Sequence, residues 1–296
     1  FNRYQREHID HELMRKCYNR VLDHFFQVNA STLHPYTHIE SVFFGGGTPS
    51  TADPSLFRDI VHRVHLLNES MPQPNDHIEV SMEANPTSIE MSRLAQFKQA
   101  GINRVSIGVQ SFDEQDLQFL GRKHSIAEAK RAIHMAQDLF HDRVSVDLMF
   151  GTERHARDET VWEHVLSEAM KLQLNHISLY QLTIEKYTQF YKWLKKGEIA
   201  LPDEECSERL YQKAIDVCAS HGLSQYEISN FAKPGFECRH NVQYWNSGDY
   251  LGIGPGAHSR ITDGSNNRFS MVQVMKPEDW IHEIELSSSG NDHESN

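Results

Sequence analysis

Long hydrophobic runs are missing from this sequence, and so is any excess of basic residues. No apolar stretch approaches the ~20 residues that a membrane-spanning helix needs, which predicts a soluble protein. The 296 residues carry a net charge of −12, whereas affinity for nucleic acid rests mainly on clustered lysine and arginine. We therefore expect no nucleic-acid partner, and any anionic ligand must be held by local groups. With 39% hydrophobic residues, the chain is long enough to bury a core.

Cysteine is scarce as well. The four cysteines are too few for a disulfide framework in a chain of this size, and they are Cys17, Cys206, Cys218 and Cys238. This scarcity predicts a reducing, intracellular compartment. The N-terminus begins at Phe1 and has neither a basic segment followed by an apolar one nor a transit pattern rich in arginine and serine. We expect that sequence is missing upstream of Phe1.

What the sequence does contain is a run of three glycines in SVFFGGGTPS, residues 41–50. The preceding Val42, Phe43 and Phe44 favour a buried strand, whereas glycine has no Cβ and can adopt backbone angles closed to other residues. Such a run is typical of a loop at a strand end where main chain approaches another backbone or a ligand closely. Taken in isolation, however, the run is better explained by a tight turn.

Short strand-like segments alternate with helical ones along the chain. The strand-like segments are IESVFF from Ile39, HIEVSME from His77, NRVSIGV from Asn103, RVSVDLMF from Arg143 and HISLYQL from His176. The helical segments are DPSLFRDIVHRVHLL from Asp53, SIEMSRLAQFKQAG from Ser88, SIAEAKRAIHMAQDLF from Ser125 and ETVWEHVLSEAMKL from Glu159. Asp53 and Ser88 are predicted N-caps, and Gly101 is predicted to close its helix. The alternation predicts an α/β fold with a parallel sheet, either open or rolled into a barrel.

Glycines and polar residues follow the carboxyl ends of the predicted strands, where ligands bind in such folds. These positions are Gly45 to Pro49, Glu83 to Pro86, Gln110 and Ser111, Asp147 to Gly151, and Tyr180 and Gln181. A long helical stretch from Asp203 to His221 precedes a predicted sixth strand, QYEIS from Gln225. Beyond Pro234 the chain is rich in glycine and aromatic residues and has no clear period. We predict two domains, residues 1–225 and 226–296, the second ending in a disordered tail from Ser287.

Six segments, in order, resemble those of one family: FFGGGTPS, EANP, GVQSFDEQDLQFLGR, VDLMFG, YEISNFA and HNVQYWNSGDYLGIGPGAHS. Together they resemble radical S-adenosylmethionine (SAM) proteins of the oxygen-independent coproporphyrinogen oxidase type, and most closely the HemW-like haem chaperones. The resemblance runs from Phe1 to about Trp280. It implies a partial (β/α) barrel over residues 1–225, followed by the start of a C-terminal accessory domain. It also implies SAM, a [4Fe-4S] cluster and haem as cofactors. The cluster would bind SAM and drive its cleavage to a 5'-deoxyadenosyl radical.

The resemblance gives the glycine run a role at the methionine end of SAM. Gly46, Gly47 and Thr48 correspond to positions where main chain approaches this end, because a side chain on either glycine would occupy the ligand's space. Glu83 and Asp147 offer carboxylates to the amino and hydroxyl groups of SAM. From the residues alone, Glu83 can equally cap the helix that follows it.

Further residues correspond to family positions around the rest of SAM. Gln110 and Arg122 match positions that contact the ribose and the carboxylate, and arginine suits a two-point grip on a carboxylate. Gln181 and His258 align with positions on the adenine side. Without the resemblance, Gln110 would be interpreted as filling a barrel layer and Arg122 as a surface residue.

The chain departs from the family pattern in two places. The family's Cys-x-x-x-Cys-x-x-Cys, whose thiolates hold three irons, would lie upstream of Phe1, so no metal ligand is assigned in this chain. Cys17, on a helical segment, is interpreted as an ordinary thiol. The second departure is FGTERHARDE from Phe150, where the family usually has Gly-Leu-Pro, and it predicts a differently shaped loop. We expect the chain to be a fragment, cut downstream of the cluster loop and short at its C-terminus.

One histidine stands apart from the 19 in the chain. His240 lies in HNVQYW, a motif of the haem-chaperone branch, where the resemblance implies an imidazole that binds haem while Tyr244 and Trp245 supply apolar area. Arg239 and Lys233 can meet haem propionates or can lie on a solvated face. Without the family, a loop histidine bonded to neighbouring main chain explains His240 better.

Three functions are compatible with these residues. The first is a haem-binding protein that passes haem to acceptor proteins, the second a radical SAM oxidase of porphyrinogen side chains, and the third a SAM-fold protein without a cluster. HNVQYW favours the first. We expect haem and haem-accepting proteins as partners, and any membrane association to be peripheral and to run through those partners. The resemblance implies a mitochondrial protein in a eukaryote and a cytoplasmic one in a bacterium.

Overall fold

The computed structural model describes residues 11–29 and 38–289. These residues form two compact units: residues 43–52 and 80–238 make up the first, and residues 11–29, 38–42, 53–79 and 239–289 make up the second. The predicted division at residues 225 and 226 remains a prediction. Of the predicted disordered tail, Ser287 to Ser289 are helical, and the rest lies outside the described residues.

Within the described ranges, seven strands form one sheet in the order β1-β2-β3-β4-β5-β7-β6. The strands are β1 (Ser41–Phe44), β2 (Glu79–Ala84), β3 (Arg104–Gln110), β4 (Val144–Phe150), β5 (His176–Gln181), β6 (Ser224–Gln225) and β7 (Asn230–Ala232). β2, β3, β4 and β5 pair in parallel, each with its neighbour. A separate antiparallel hairpin consists of β8 (His258–Thr262) and β9 (Arg268–Val272).

Helices connect the parallel strands, as the alternating pattern predicts. The helices of the described residues are α1 (His11–Asn29), α2 (Pro54–Glu69), α3 (Ser88–Met91), α4 (Leu94–Gln99), α5 (Glu114–Phe119), α6 (Ile126–Phe140), α7 (Glu153–Arg157), α8 (Thr160–Met170), α9 (Gln189–Lys196), α10 (Glu204–Ser220), α11 (Arg239–Trp245) and α12 (Pro277–Ser289). Of these, α2 to α8 lie between β1 and β5. Strands that follow one another in the chain are neighbours in the sheet from β1 to β5. This is the connectivity of a (β/α) barrel that does not close.

Local capping explains where several helices begin and end. Asp53 accepts a hydrogen bond from the Ser55 N–H at 2.8 Å, which confirms it as the N-cap of α2. Gly101, just past α4, has a φ of +100°, the left-handed conformation that glycine adopts easily. Ser88 is not a cap, because it is already helical and the Thr87 hydroxyl accepts from the Glu90 N–H instead. The helix predicted from Ser88 is broken into α3 and α4.

The predicted sixth strand, QYEIS, is wrong. Gln225 ends β6, residues 226–229 turn the chain, and β7 returns antiparallel to both β6 and β5. The Glu227 side chain stabilises this turn because it accepts hydrogen bonds from the Ser229 N–H, at 3.0 Å, and from the Asn230 amide. The alternating pattern of QYEIS therefore belongs to a turn between two short strands.

The core of the first unit lies between the sheet and its helices. Ile107, Val146 and Leu148 on the central strands are fully buried, as is Trp162 on α8. The Trp162 indole N–H donates to the Leu210 carbonyl of α10 at 3.0 Å, so its one polar group is satisfied. This packing fixes the strands whose carboxyl ends carry the predicted site.

The second unit has a helical core of its own. α1 packs against α2 and α12, with Trp280 fully buried and its ring 5.3 Å from that of Tyr18. The Trp280 indole donates to the Gln273 side chain at 3.0 Å. In the second unit, α11 holds the HNVQYW motif, and the hairpin β8–β9 holds His258.

Candidate functional site

The glycine run forms an open loop immediately after β1. Gly46 and Gly47 have φ values of +78° and +61°, a conformation that residues with a Cβ rarely adopt. Among the described residues, no atom lies within 4 Å of the position that a Cβ would take on either glycine. The Thr48 carbonyl then accepts from the Thr51 N–H at 3.1 Å and closes a short 3-10 turn. The backbone of both glycines is therefore accessible to a ligand.

Two residues that sequence reasoning missed hold this loop in place. The Arg93 guanidinium donates to three successive carbonyls, those of Ser50, Thr51 and Ala52, at 3.3, 3.2 and 2.8 Å. The buried Glu90 carboxylate accepts from the Ser50 hydroxyl. Both lie in the EANP-containing segment after β2, but their spacing in the sequence gives no sign of partners about 40 positions away.

Glu83 on β2 and Asp147 on β4 are close enough to influence each other electrostatically. Burial raises the pKa of Glu83, the Asp147 carboxylate raises it further, and a hydrogen bond from the Gly46 N–H opposes both effects. Burial also raises the pKa of Asp147, against hydrogen bonds from Ser106, at 2.7 Å, and Ser178. The structure thus brings three predicted site residues together, with two carboxylates that would gain from a cationic ligand.

Asn85 and Gln110 lie beside Gly108, and Arg122 contacts Asn85. Arg122 donates to the Asn85 side-chain oxygen at 3.3 Å, and burial lowers the pKa of its guanidinium while Asp147 opposes that shift. Gln110 is 9% exposed and has a φ of +75° at a bulge in β3, an unusual conformation that often marks functional sites. A Cβ on Gly108 would lie 3.0 Å from the Gln110 side-chain nitrogen and 3.7 Å from Asn85 Oδ1. A side chain at this position would therefore crowd the Gln110 amide.

The loop after β4, where the sequence departs from the family pattern, is held by a buried polar cluster. Asp116 accepts hydrogen bonds from His155 Nε2 at 3.0 Å, from the Thr152 hydroxyl at 2.9 Å and from the Ser111 hydroxyl at 3.1 Å. His155 Nδ1 accepts from the Gly151 N–H at 3.1 Å. The loop is thus held by Asp116 of α5, and Asp147 remains within β4. The exposed Gln181 at the end of β5 lies beside Gly151.

Two serines that sequence reasoning missed lie close to Asp147, as does Tyr180, which was named only as a strand-end position. Burial and the Asp147 carboxylate raise the pKa of Tyr180, whose ring is 41% exposed at the end of β5. Ser106 and Ser178 flank Asp147 on the neighbouring strands, and Ser178 pairs directly with Asp147 in the parallel register. One signal was available: Ser106 and Ser178 each lie between two apolar residues of their strand.

The second unit contains the two remaining predicted residues. His240 on α11 is half-buried, and burial lowers its pKa to about 4, so the imidazole is neutral at pH 7. Its ring meets Tyr244 edge-on, with centroids 4.6 Å apart, and Tyr244 lies 4.3 Å from Tyr250. Trp245 is 54% exposed. His258 is exposed at the start of β8.

Of the two residues predicted to meet haem propionates, Arg239 already has partners within the protein. The Arg239 side chain donates to the His77 carbonyl at 2.6 Å and forms an ion pair with Glu40 at 3.5 Å. Lys233 is half-buried in the first unit. Arg239 is therefore already engaged within its own unit.

No group of three or more histidine, cysteine or acidic residues within 11–29 and 38–289 is arranged to hold a metal ion. The four cysteines are free and buried. The residues present therefore do not fit a [4Fe-4S] cluster, whereas the glycine loop and the paired carboxylates do fit a cationic ligand such as SAM. None of the described helices has the length and apolarity required to cross a membrane.

Comparison with known proteins identifies the family. The profile of the Radical SAM superfamily matches residues 11–164. The chain is 40% identical to Radical S-adenosyl methionine domain-containing protein 1, mitochondrial, of Bos taurus, over 98% of this chain and 64% of that protein. It is 37% identical to the protein of the same name from Dictyostelium discoideum, over 96% and 68% of the two chains. It is 39% identical to Heme chaperone HemW of Escherichia coli, over 76% and 57%.

A solved structure agrees at the level of the fold. Coproporphyrinogen III oxidase (HemN) from Escherichia coli superposes with a TM-score of 0.69 at 18% identity, covering 95% of this chain and 64% of the other. The chain spans 64% of the length of the cattle relative, which is less than two thirds. The expected α/β partial-barrel fold is confirmed. Membership of the superfamily implies SAM and a [4Fe-4S] cluster as its cofactors. This chain belongs to the radical SAM superfamily, and its resemblance to the HemW-like members is confirmed.

Proposed function

We propose that the protein to which this chain belongs is a haem chaperone, which binds SAM through its first unit and haem through its second and passes haem to acceptor proteins. His240 carries the haem part of this proposal. A neutral imidazole is the form that ligates iron, and burial keeps His240 neutral, with a pKa of about 4. The name of the bacterial relatives, Heme chaperone HemW, supports the same assignment.

The aromatic residues around His240 suit a porphyrin. Tyr244 orients the imidazole through an edge-on contact and is itself packed against Tyr250. Tyr244 and Trp245 are 42% and 54% exposed, although large aromatic side chains usually bury most of their surface. An apolar macrocycle that covered these rings would remove that surface from water. The pair therefore provides binding area next to the proposed ligand of the iron.

The first unit supports SAM binding through an open glycine backbone, a cationic side chain and two carboxylates. The backbone of Gly46 and Gly47 leaves room for the methionine end, while Arg122 suits its carboxylate. Glu83 and Asp147 carry raised pKa values, so a cationic amino group or a hydroxyl donor would stabilise their ionised forms. Gln110 provides an amide for the ribose, and Gln181 provides one for the adenine side. When bound, SAM supplies a sulfonium centre that can be cleaved reductively.

Partners and compartment follow from the proposed role. Haem-accepting proteins would be the partners, with any membrane association running through them. The eukaryotic relatives are named as mitochondrial. We propose the same compartment if the source is a eukaryote, and the cytoplasm if it is a bacterium.

The test of haem binding compares two histidines of the second unit in this chain. His240→Ala should weaken haem binding, on the order of tenfold or more, and shift the haem absorption bands because the iron loses its imidazole. His258→Ala is the control, because His258 is exposed at the start of β8 and lies outside HNVQYW; its haem spectrum should stay the same. An unchanged affinity and spectrum in His240→Ala would contradict haem carriage.

Porphyrinogen oxidation is the alternative. The similarity to HemN, at 18% identity, concerns the fold alone, and we expect no conversion of coproporphyrinogen. Anaerobic incubation of the complete protein with reductant, SAM and coproporphyrinogen decides between the two functions. Product that forms in proportion to protein concentration would favour the oxidase.

A further inference from the structure

Glu90 is a buried carboxylate that lies outside every residue assigned above to SAM. It is 6% exposed, and four hydrogen-bond donors point at its two oxygens. Oε2 accepts from the Ser50 hydroxyl and from the Asn85 N–H at 2.8 Å. Oε1 accepts from Asn85 Nδ2 and from the Thr87 hydroxyl, each at 3.3 Å. Burial of a carboxyl group costs free energy unless its oxygens are hydrogen-bonded, and here both are.

These bonds join two loops at the carboxyl edge of the sheet. Ser50 belongs to the loop after β1, which contains Gly46 and Gly47, and Asn85 directly follows β2, which contains Glu83. Arg93, one turn beyond Glu90, fixes the first loop from its other side through three carbonyls. Glu90 is therefore the connection between the glycine loop and Asn85.

The Asn85 side chain has its orientation determined by Glu90. A carboxamide presents one oxygen, which accepts, and one NH2 group, which donates. Because the nitrogen of Asn85 donates to Glu90, its oxygen must face the other way, where it accepts from Arg122 Nη1 at 3.3 Å. If the Asn85 amide were rotated, its NH2 group would face the Arg122 guanidinium, and two hydrogen-bond donors would oppose each other. The carboxylate of Glu90 thus acts on Arg122 through one intervening side chain.

We propose that Glu90 is a positioning residue of the SAM site: it fixes the amide of Asn85 so that Arg122 is held in place for the ligand's carboxylate. This inference rests on the proposed binding of SAM. It requires a carboxylate at position 90 rather than a side chain of the same shape. Glutamine would present one NH2 group, and the fixed Asn85 N–H at Oε2 forces that group to the Oε1 side. There it meets Asn85 Nδ2, so the Asn85 amide must turn and its oxygen no longer faces Arg122.

The test uses Glu90→Gln in this chain, with SAM and decarboxylated SAM as probes in equilibrium titrations. In this chain, which does not contain the family's Cys-x-x-x-Cys-x-x-Cys, only side chains and backbone groups of the protein bind the ligand. Decarboxylated SAM lacks the group that Arg122 contacts, so it isolates the predicted pathway. Glu90→Gln should bind SAM about tenfold more weakly, as expected for one charge-assisted hydrogen bond, and decarboxylated SAM as well as the wild type does. Equal weakening for both ligands would overturn the positioning role.

A control and a rescue variant complete the experiment. Thr87→Val removes another donor to the Glu90 carboxylate, together with the hydroxyl that accepts from the Glu90 N–H, but leaves Asn85 in contact with the carboxylate, so SAM affinity should stay within about threefold. Glu90→Gln combined with Asn85→Asp restores a donor and an acceptor at the contact, because the introduced glutamine can donate to the introduced carboxylate, which still faces Arg122. SAM affinity should recover relative to Glu90→Gln. If Glu90→Gln does not fold, the double variant decides: a folded protein that binds SAM as weakly as Asn85→Ala would overturn the proposal.

The proposed SAM site and the role of Glu90 are contradicted by different results. If the wild-type chain binds neither ligand, the proposed SAM site itself is contradicted. If the wild type binds SAM in preference to decarboxylated SAM and Glu90→Gln keeps that preference, only the role of Glu90 is contradicted. A ligand-free measurement supports the distinction: the Asn85 side-chain amide protons should shift in the NMR spectrum of Glu90→Gln but not in that of Thr87→Val.

Discussion

At the two ends of the parallel strands in the first unit, polar side chains differ in how fully other protein groups satisfy them. At the amino end, His176 Nδ1 bonds to the Ser145 hydroxyl at 2.6 Å, and its Nε2 bonds to the Tyr226 hydroxyl at 2.7 Å. Arg104 nearby donates to the carbonyls of Phe236 and Glu237. At the carboxyl end, Glu83 and Asp147 repel each other and both have raised pKa values. One end is satisfied by the protein itself, whereas the other retains charge that the protein compensates only in part.

This difference separates residues that stabilise the fold from residues that are available to a ligand. Buried polar groups that bond to each other add to stability when every partner is satisfied. Two carboxylates that are held close together repel each other and therefore reduce stability. Such arrangements are typical of functional sites. Substitutions at the two ends should therefore have opposite effects on binding and on stability.

The largest expected effect is that of Gly46→Val. Two methyl groups would enter the space of the methionine end of SAM, and valine resists a φ of +78°. We expect SAM binding to fall below detection in titrations of a cluster-containing protein, while thermal melting shows a folded protein that has lost about 1–3 kcal/mol to backbone strain.

Gly197 provides a matched control for that variant. It has a φ of +70° at the C-cap of α9, and, as at Gly46, no described atom lies within 4 Å of a Cβ built on it. Gly197→Val should therefore cost similar stability and leave SAM affinity unchanged. If Gly46→Val binds SAM as well as Gly197→Val does, the glycine run returns to the tight-turn interpretation.

Asp147→Asn should lower SAM affinity by about tenfold, because a charge-assisted hydrogen bond becomes a neutral one. Its stability should not fall, since asparagine has the same shape and removes both the repulsion with Glu83 and the burial of a charge.

Ser145→Ala, at the amino end, should lower stability and leave SAM affinity unchanged. It removes the partner of His176 Nδ1 and costs about 1–3 kcal/mol of unfolding free energy. Urea unfolding and SAM titration of both variants test this. A loss of affinity in Ser145→Ala would show that the two ends are not separate.

The sequence alone predicted which residues gather at the carboxyl ends of the strands, and the reason is geometric. Parallel strands present their carboxyl ends at one edge, so Gly46, Glu83 and Asp147 could be expected to meet without knowledge of the packing. Glu90 was missed, and Asn85 was named only within the strand-end range Glu83 to Pro86, because the roles of both depend on partners from other parts of the chain. The prediction of a strand at QYEIS was wrong because alternation over five residues does not distinguish a strand from a turn whose side chains bond to nearby backbone.

The smallest expected effect concerns pH and the amino end. Burial lowers the pKa of His176 well below its ordinary range, and Arg104 lowers it further, so the folded protein keeps this imidazole neutral. In the unfolded chain the same histidine takes up a proton near pH ~6.5. Below that pH the unfolded state therefore binds more protons at this position, and stability decreases as the pH falls. The contribution is fully present above pH ~6.5 and is lost at up to ~1.4 kcal/mol per pH unit below it.

The measurement is urea unfolding between about pH 7.5 and pH 5 for the wild type and for His176→Gln, a range that brackets the ordinary histidine pKa. The variant should be less stable at the upper end of this range, since it disturbs the bonds to Ser145 and Tyr226, but its stability should depend less steeply on pH than that of the wild type. His62→Gln, at an exposed position on α2, should retain the wild-type slope. Parallel slopes for His176→Gln and the wild type would mean that His176 accepts a proton in the folded state. The amino end would then no longer contrast with the carboxyl end as a region whose polar groups are satisfied without charge.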